Sequence, residues 1–547
     1  MPPDSPAPSA GVSAHEYHER TKHSPKRIRE GSHRLDFPNK PTPYKEYLDL
    51  PNVELAHQLT PPRVPTLAAL HWTDPDPDDP GTRTGVDLDV LTQLCYYAAG
   101  VTKRMSKAGS DVLFRAAACT GALYHIDLSL VTGEVGPLDA GVYHFDPTTL
   151  SLDVLREGDF RGVLASASGG EPRIAEAPVT FVATSTWWRN AWKYRERTFR
   201  HAFWDSGTVL ANLTMVANSL SRPTRVVTGF ADEQVAGLVG VETNEEAPLA
   251  LVPVGADAPV PEPRAVDPIA PETAPLSPEP VEYPLIHEAY VGSSLPDGDA
   301  VQAWREKSVD GTSGDGGADE TVEDGSADET VEDGNTDRTV GTRRTGDGDR
   351  VQLDPVGDDL ASKAPPFVTI PRRGSCREYV RDELNFRKVS TVLDRAVRGV
   401  PMDVRDPDGP ALQWNDCYLL VNGVEQVDPG VYQFHPDAGE LELLREGECR
   451  AEAKHLALDQ ALGGDGAICA YFMTDLDAVV DRFGDRGYRA AQFEASLAAG
   501  RLYLATYAHS DLGGTGLTFY DDEVTEFLSP RAAGQTPTFL YTLGRPA

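Results

Sequence analysis

The segment 187–212 concentrates the side chains of this chain that are most suited to chemistry. It holds four of the seven tryptophans and five Arg or Lys residues, in a chain whose formal net charge is -35. Within it, Lys193 precedes Tyr194 and has charged or aromatic neighbours along the chain: Arg189, Trp192, Arg195 and Arg197. Nearby positive charge and partial burial both lower the pKa of a lysine, so we predict that Lys193 acts as a general base beside Tyr194. The alternative is a lysine whose stem only covers aromatic surface.

These residues must be positioned by the helix that follows them. From residue 208 to residue 220 the pattern is apolar nearly all round, which predicts a central helix buried on most sides. A basic, aromatic segment that runs into such a helix is suited to form the wall of a site for a flat, electron-rich ligand. Further predicted helices are 86–99, which ends at Gly100, and 155–167. Candidate strands are 124–131, 141–145, 179–184, 224–229 and 250–254. Helices and strands mixed in this order predict an α+β layered fold.

A second copy of this pattern begins near Phe367. The sequence GVYxF occurs at 141–145 and 430–434, and LREG occurs at 155–158 and 444–447, both with a shift of 289 residues. In the middle of the repeat, a shift of 294 matches Tyr194-Arg195 and Phe199 with Tyr488-Arg489 and Phe493. A constant offset over such a length indicates two related domains, and a fused pair of this kind mimics a two-fold dimer. The cleft between the halves is the expected place for a ligand.

We divide the chain into four parts. They are an N-terminal arm (1–65), a first domain (66–256), a linker (257–365) and a second domain (366–547). The linker is Pro-rich at first and then contains an acidic nine-residue repeat that begins at Ala318 and at Ala327. Like charges at this density, with few large apolar residues, keep a chain unfolded, so we predict a largely disordered linker. Residues 283–304 within it keep some apolar side chains for docking.

Several motifs carry a resemblance to a known family. They are Trp192-Lys-Tyr-Arg195, Phe203-Trp-Asp-Ser-Gly207, Gly121-Ala-Leu-Tyr124 and the GVYxF and LREG repeats. With these motifs the chain resembles the flavin-dependent nitroreductase superfamily, and within it the tandem SagB-type dehydrogenases, which oxidise azoline rings in modified peptides. The resemblance covers nearly the whole chain outside the acidic linker. It implies two nitroreductase-like α/β sandwich domains fused as an intramolecular pseudo-dimer, with FMN bound at their shared interface.

The resemblance assigns part of the FMN site to the second half. Arg373, Ser375 and Arg377 match the family's Arg-x-Ser-x-Arg start. An arginine and a hydroxyl bind a phosphate dianion through charge-assisted hydrogen bonds, and Arg377 would face the flavin pyrimidine edge. The other cofactor contacts implied for this half are the backbone N–H groups near flavin N5 and O4 and a terminal base: Gly513, Gly514, Thr515 and Arg545.

The first half is implied to supply the flavin-edge loop and the catalytic pair. The loop corresponds to Cys119, Thr120 and Gly121, where Cys119 replaces the family's serine and the family prolines are missing. Lys193 and Tyr194 match the family's Lys-Tyr pair, which implies base-assisted hydride transfer to flavin N5. Because each of these pieces occurs in one half only, we predict a single FMN site built from both halves.

Two other functions remain open at this point. A generic flavin reductase of nitro-compounds or quinones would need NADH or NADPH as electron donor. A peptide-binding scaffold that has lost flavin would use the basic aromatic segment to hold an acidic partner. An absorption spectrum of the purified protein after FMN loading separates the scaffold from both enzymes.

Composition limits the partners and the compartment. With 85 acidic against 50 basic residues, nucleic acids and anionic membranes are repelled as general partners, and such acidity is typical of a salt-rich cytoplasm. The six cysteines are scattered without metal-ligand spacing, so we predict reduced cysteines and no metal site. No apolar run of membrane-spanning length occurs, which predicts a cytoplasmic protein. The expected partner is a small molecule or an azoline-containing peptide, and a further homodimer stays open.

Overall fold

The structure, a computed structural model, describes residues 11–31, 33–55, 59–71, 76–107, 110–307, 348–405 and 409–547. The acidic repeat that begins at Ala318 lies outside these residues. The first half of the chain has helices α1 (Ala14–Thr21), α2 (Pro25–Glu30), α3 (Thr66–His71), α4 (Leu88–Ala99), α5 (Arg161–Ala167), α6 (Pro172–Glu176), α7 (Trp187–Tyr194), α8 (Thr198–Ser219) and α9 (Asp232–Val239). Its strands are β1 (Asn52–Glu54), β2 (Val101–Lys107), β3 (Ser110–Arg115), β4 (Ile126–Thr132), β5 (Gly141–Asp146), β6 (Ser151–Glu157), β7 (Val179–Thr186) and β8 (Glu246–Val254).

The rest of the chain repeats this order of elements. Its helices are α10 (Pro284–Gly292), α11 (Gly298–Glu306), α12 (Pro366–Arg372), α13 (Phe386–Val397), α14 (Arg450–Leu456), α15 (Ala461–Asp465), α16 (Leu476–Phe483), α17 (Asp485–Tyr507) and α18 (Asp521–Leu528). Its strands are β9 (Arg350–Gln352), β10 (Tyr379–Val380), β11 (Asp416–Val421), β12 (Gly430–His435), β13 (Glu440–Glu446), β14 (Ile468–Thr474), β15 (Gly513–Leu517) and β16 (Thr536–Pro546). Short 3₁₀ helices lie at Phe37–Asn39, Thr120–Ala122 and Arg195–Arg197.

Each half contains one antiparallel sheet of the same design. The first sheet has the order β1-β6-β5-β4-β7-β8, and the second has the order β10-β16-β14-β11-β12-β13-β9, with β15 paired on β16. Strands β4, β7 and β8 are buried at every position, because helices cover both faces of the sheet. The predicted α+β class with two fused domains is therefore confirmed.

Local sequence signals predict many of these helices and strands, but two predicted elements differ from the structure. Helix α4 begins after Asp87, whose carboxylate accepts the N–H of Val90 at 2.9 Å, and it ends before Gly100 as predicted. The predicted helix 155–167 is wrong in its first part, since β6 continues to Glu157 before α5 starts. The predicted strand 224–229 forms isolated bridges only, one of them from Val226 to Met402 in the other half.

The two central helices α8 and α17 cross at small residues. A Cβ added to Gly207 would lie 2.0 Å from Ser496 Oγ, and one added to Gly500 would lie 2.6 Å from Ala211 Cβ. Gly207 and Ser496 are 289 residues apart, as are Ala211 and Gly500. The shift of 289 therefore holds through the middle of the repeat. The shift of 294 for Tyr194 was wrong there, because a match of a few letters does not fix the packing register.

We expect Gly207→Ala to lower the free energy of unfolding by about 1–3 kcal/mol, since the added methyl group overpacks the crossing of the two helices. Gly237→Ala is the matched control, because Gly237 is exposed inside α9 and has no atom near its Cβ position. The control should gain about 0.5–1 kcal/mol from its better helix propensity. Urea denaturation measures both, and equal effects would contradict the close helix contact.

A buried ion cluster joins α8 of the first half to α18 of the second. Asp521 accepts from Arg197 Nη1 at 3.0 Å and from Arg200 Nη1 at 2.6 Å, and all three side chains are buried. The two guanidinium groups hold the pKa of Asp521 below its ordinary value against the opposing effect of burial. The carboxylate also accepts the backbone N–H of His23 at 2.7 Å.

The same cluster occurs on the other side of the interface with the halves exchanged. Asp232 accepts from Arg486 Nη1 at 2.7 Å and from Arg489 Nη1 at 2.7 Å, and it accepts the N–H of Leu295 at 2.8 Å. Asp232, Arg486 and Arg489 each lie 289 residues from their counterparts in the first cluster. This reciprocal pairing is the geometry of an isologous two-fold interface within one chain.

Helices α1 and α10 cover these clusters in equivalent ways. Arg200 donates to the carbonyl oxygen of His18 at 2.7 Å and to Thr21 Oγ1 at 3.1 Å. Arg489 donates to the carbonyl oxygen of Tyr290 at 2.6 Å and to Ser293 Oγ at 2.8 Å. Helix α10, assigned to the linker from sequence, is therefore the counterpart of the N-terminal arm. Residues 284–306 form helices that pack on the domains and are not a disordered linker.

Candidate functional site

The edge loop, residues 118–124 between β3 and β4, has an unusual backbone. Gly121 has a φ of 66°, and the non-glycine residues Ala122 and Tyr124 have φ values of 53° and 48°. Such left-handed residues cost energy unless their surroundings fix them, and they occur preferentially at functional sites. A Cβ at Gly121 would lie 2.9 Å from Tyr194 Oη. The structure thus brings the predicted catalytic tyrosine against the predicted edge loop.

A buried carboxylate on α8 fixes the edge loop. Asp205 Oδ1 accepts from the backbone N–H of Thr120 at 2.9 Å and from Thr120 Oγ1 at 2.7 Å. Its Oδ2 accepts from Cys119 Sγ at 3.1 Å and lies 2.9 Å from His125 Nε2. Burial, and next the negative charge of Asp205, raise the pKa of the Cys119 thiol well above its ordinary value. The thiol is therefore neutral and is not a nucleophile.

The second half has a carboxylate at the same helix position. Glu494, which is 289 residues after Asp205, accepts from the backbone N–H groups of Gln413 at 2.6 Å and Trp414 at 2.9 Å. It also accepts from Asn415 Nδ2 at 3.0 Å. An acid that holds the loop before the central strand is therefore common to both halves.

The position equivalent to Tyr194 is filled by aromatic rings in the second half. Phe483 is 289 residues after Tyr194, and its ring centroid lies 4.4 Å from that of Trp414. Trp304 Nε1 donates to the carbonyl oxygen of Phe483 at 2.9 Å. These side chains fill the position in the second half that is equivalent to the position of Tyr194 in the first half.

Tyr194 is mostly buried, and Lys193 is exposed. The Tyr194 ring packs edge-on against His201, with centroids 4.6 Å apart. Burial, followed by the charge of Asp205 and then Cys119, raises the pKa of the Tyr194 hydroxyl, which therefore stays protonated. Lys193 Nζ lies 5.0 Å from the centre of the Tyr194 ring.

The pKa of Lys193 is lowered, as expected, but for a different reason. Partial burial is the main cause, and the positive charge of Lys40 is the second. The arginines near it in sequence point elsewhere: Arg189 donates to Asp127 at 2.7 Å, and Arg197 binds Asp521. The expected crowding by arginines was wrong, because successive residues of a helix face different directions.

Arg373 of the second half reaches the first half beside the edge loop. Its Nε donates to the carbonyl oxygen of Ala116 at 3.0 Å, and its guanidinium carbon lies 5.8 Å from the centre of the Tyr503 ring. Ser375 is half-buried and Arg377 is exposed on the same segment. The end of β3 and the predicted phosphate-binding residues therefore meet at one interface.

Gly513, Gly514 and Thr515 do not form a free loop. They belong to β15, an edge strand paired with β16, and Gly514 N–H donates to Tyr507 Oη at 3.4 Å. A Cβ at Gly514 would lie 1.9 Å from Tyr541 Oη. The prediction that these N–H groups face a ligand is corrected, because sheet pairing and a tyrosine hydroxyl already use them.

Arg545 also lies outside the site. Its Nη1 pairs with Asp382 Oδ2 at 3.2 Å, and both side chains are exposed. Strand β16 directs this base away from the edge loop through its pairing with β10, where Arg545 is opposite Val380.

A small cavity with room for about one water molecule lies behind the edge loop. Its lining residues are Ala99, Arg115, Ala117, Ala118, Cys119, Tyr124, Ile126, Asp205 and Val209. Asp205 and His125 were not identified as site residues from sequence. The signal for Asp205 was a carboxylate within the buried pattern of α8, and the signal for His125 was its position where the related family has a proline.

Comparison with known proteins identifies the fold. Residues 136–256 match the nitroreductase family. These residues form a nitroreductase-like domain. A crystal structure of an Anabaena variabilis protein named as a nitroreductase superimposes with a TM-score of 0.73 and 24% identity, covering 98% of this chain and 100% of that one. The whole chain therefore has a nitroreductase fold, as the resemblance implied.

Two curated proteins are similar in sequence to part of the chain. MJ1384 of Methanocaldococcus jannaschii, also named as a nitroreductase, is 27% identical over 165 residues, which are 30% of this chain and 78% of that protein. The microcin B17-processing protein McbC of Escherichia coli is 28% identical over 134 residues, 24% of this chain and 49% of McbC. The match thus spans about half the length of McbC. The nitroreductase-like domain and these relatives support an oxidoreductase.

Membrane insertion receives no support from the helices of the described residues. None of them combines the length and the apolar character that crossing a bilayer requires.

Proposed function

We propose that the protein is an FMN-dependent oxidoreductase that dehydrogenates azoline rings in modified peptides. The observation that carries this proposal is the hydrogen bond from Arg373 of the second half to Ala116, two residues before the edge loop that Tyr194 contacts at Gly121. Aromatic rings fill the pseudo-equivalent position at Phe483. This asymmetry favours a single cofactor site between the halves.

The donors at this interface fit the phosphate of FMN. Arg373, Ser375 and Arg377 lie on one segment and provide two guanidinium groups and a hydroxyl, which suit a phosphate dianion. Because the N–H groups of β15 and the N–H and hydroxyl of Thr120 are bonded within the chain, the contacts to the flavin ring fall to the edge loop at Gly121. Gly121 fits this role, since it has no side chain between the loop backbone and Tyr194.

Lys193 and Tyr194 divide the proton chemistry between them. When bound, FMN supplies the hydride acceptor. Lys193 has a lowered pKa and takes the proton from the α-carbon of the azoline ring at Nζ. Tyr194 stays protonated at Oη and donates a hydrogen bond that orients the ring. The similarity to McbC, whose name records the processing of microcin B17, supports a peptide substrate.

A peptide-binding scaffold without flavin is the second candidate function. The small cavity, which holds only about one water molecule, and the use of the β15 N–H groups within the chain favour it. It would bind acidic peptides at the basic aromatic segment and would not bind FMN.

The proposal is tested by FMN binding to the wild type and to Arg373→Ala. We expect the wild type to bind one FMN and the variant to bind it about 10- to 100-fold more weakly, because a charge-assisted hydrogen bond contributes about 1.5–3 kcal/mol. Arg545→Ala is the control, since this exposed base pairs with Asp382 and should leave the affinity unchanged. Flavin absorbance after dialysis measures all three. A colourless wild type would contradict the proposal and favour the scaffold, and unchanged binding by Arg373→Ala would contradict the assigned site.

A further inference from the structure

We propose that Cys119, His125 and Asp205 form a binding site for a divalent transition metal, and that Zn²⁺ is the ion this site fits best. The potential ligand atoms, a sulfur, an imidazole nitrogen and a carboxylate oxygen, all lie within 4.8 Å of one another. The sequence predicted no metal site, because these residues have no metal-ligand spacing along the chain. The site does not depend on the proposed flavin chemistry.

The three ligand atoms already converge on one point. Cys119 Sγ lies 3.1 Å and His125 Nε2 lies 2.9 Å from the same oxygen, Asp205 Oδ2. Zinc binds sulfur at about 2.3 Å and nitrogen or oxygen at about 2.0–2.2 Å. Ligand atoms around such an ion are therefore only a few tenths of an ångström farther apart than these hydrogen-bonded atoms. An ion can replace the shared protons with small side-chain movements.

Neighbouring groups orient each ligand. Ser185 Oγ lies 2.9 Å from His125 Nδ1 and thereby directs Nε2 towards Asp205. Thr120 fixes the Asp205 carboxylate: its hydroxyl donates to Oδ1 at 2.7 Å, and its N–H is shared between Oδ1 at 2.9 Å and Oδ2 at 3.0 Å. The N–H of Tyr124 donates to Cys119 Sγ at 3.0 Å and fixes the position of the sulfur. Supporting contacts of this kind are typical of metal sites.

Charge and accessibility also fit a divalent ion. A thiolate and a carboxylate would neutralise its charge, and a neutral imidazole would complete a mixed sulfur, nitrogen and oxygen set. Such a set suits zinc and not Mg²⁺ or Ca²⁺, which bind oxygen ligands. Cys119 is partly exposed, His125 and Asp205 are buried, and the cavity beside them has room for one water molecule as a fourth ligand.

The second half shows that capping the loop needs no such cluster. Glu494 accepts from the backbone N–H groups of Gln413 and Trp414 and from the Asn415 side chain, and no cysteine or histidine of the described residues is hydrogen-bonded to it. In the first half, the Cys119 sulfur and the His125 imidazole also contact Asp205 Oδ2. These two additional ligand atoms favour a bound metal ion.

The test uses the full-length protein, stripped of metal by a chelator, loaded with Co²⁺ and desalted. We expect one retained ion per chain by elemental analysis and a thiolate-to-cobalt charge-transfer absorbance. Cys119→Ser should abolish this absorbance. Cys449→Ser is the matched control, since its buried thiol donates to the carbonyl oxygen of Gly447 and is not part of the cluster, and it should keep both signals.

Additional measurements keep the outcome decisive if a variant unfolds. Ser185→Ala leaves all three ligands in place and should weaken zinc affinity by about 10-fold or more, as measured by competition with a chelating dye. Circular dichroism checks the folding of each variant, and FMN loading of the same samples reports the flavin site separately. A wild type without the thiolate-to-cobalt absorbance would overturn the metal site. So would equal ion retention by all variants, which would indicate adventitious binding to acidic surface.

Discussion

Replacing Asp521 with alanine is expected to lower the free energy of unfolding by about 3–5 kcal/mol, because two buried guanidinium groups lose their counter-charge. Arg197 and Arg200 would be left in an environment that water does not reach. The backbone N–H of His23, on the arm, would lose its acceptor as well. Urea denaturation of the full chain measures this loss.

The matched control for this ion cluster is Asp382→Ala. Asp382 pairs with Arg545 on the surface, where both side chains are about half exposed and the pair contributes at most about 1 kcal/mol. The two variants therefore compare the loss of a buried and of an exposed aspartate. Equal destabilisation by the two variants would contradict the cluster as a main contact between the halves.

The cluster also sets the direction of a pH effect. The pKa of Asp521 is lower in the folded protein than its ordinary value, so the unfolded chain binds the proton more readily. The resulting stabilisation is present above the unfolded pKa of about 3.9 and is lost as pH falls below it. In Asp521→Ala this part of the acid dependence should disappear.

The second large effect is expected at Lys193. Removing a general base typically lowers a rate by about 10²- to 10⁴-fold, and we expect a loss in this range for azoline dehydrogenation by Lys193→Ala. The wild-type rate should rise with pH through the lowered pKa of Lys193, since only the neutral amine takes a proton. The variant should lack this dependence. Single-turnover kinetics with a cyclised peptide substrate measures both.

Lys40→Ala provides the control for this assignment. The charge of Lys40 contributes to the lowered pKa of Lys193, so its removal should move the rising part of the pH profile to higher pH and leave the maximal rate unchanged. A Lys193→Ala variant with the wild-type rate and pH profile would leave Lys193 as a residue that only covers aromatic surface. Tyr194 would then be the remaining proton donor at the site.

Much of the architecture follows from local sequence. The alternation of apolar residues and the caps placed α4 and the central strands, and the constant shift of 289 predicted two domains of one design. The error at residues 155–157 arose because a short apolar run suits both a helix and a buried strand. The register of α8 against α17 was beyond reach, since a contact such as Gly207 with Ser496 depends on side-chain volume at one point.

The candidate site was predictable only in part. The sequence identified Tyr194 and the edge loop as site residues, and the two are in contact at Gly121. It did not reveal that Gly514 donates its N–H within the chain or that Arg545 pairs with Asp382. The availability of a donor depends on what lies opposite it in space, and no local pattern records that.

The sequence by itself determined that this chain contains two related domains and that each half has lost different motifs, because repetition and loss can be counted along a chain. Only the tertiary structure decided which residues of the two halves come together in space. It gathered Cys119, His125 and Asp205 from a loop, the start of a strand and the middle of a helix. Residues so far apart become neighbours only when the helices and the sheet pack together, so the chemistry they can share depends on the fold.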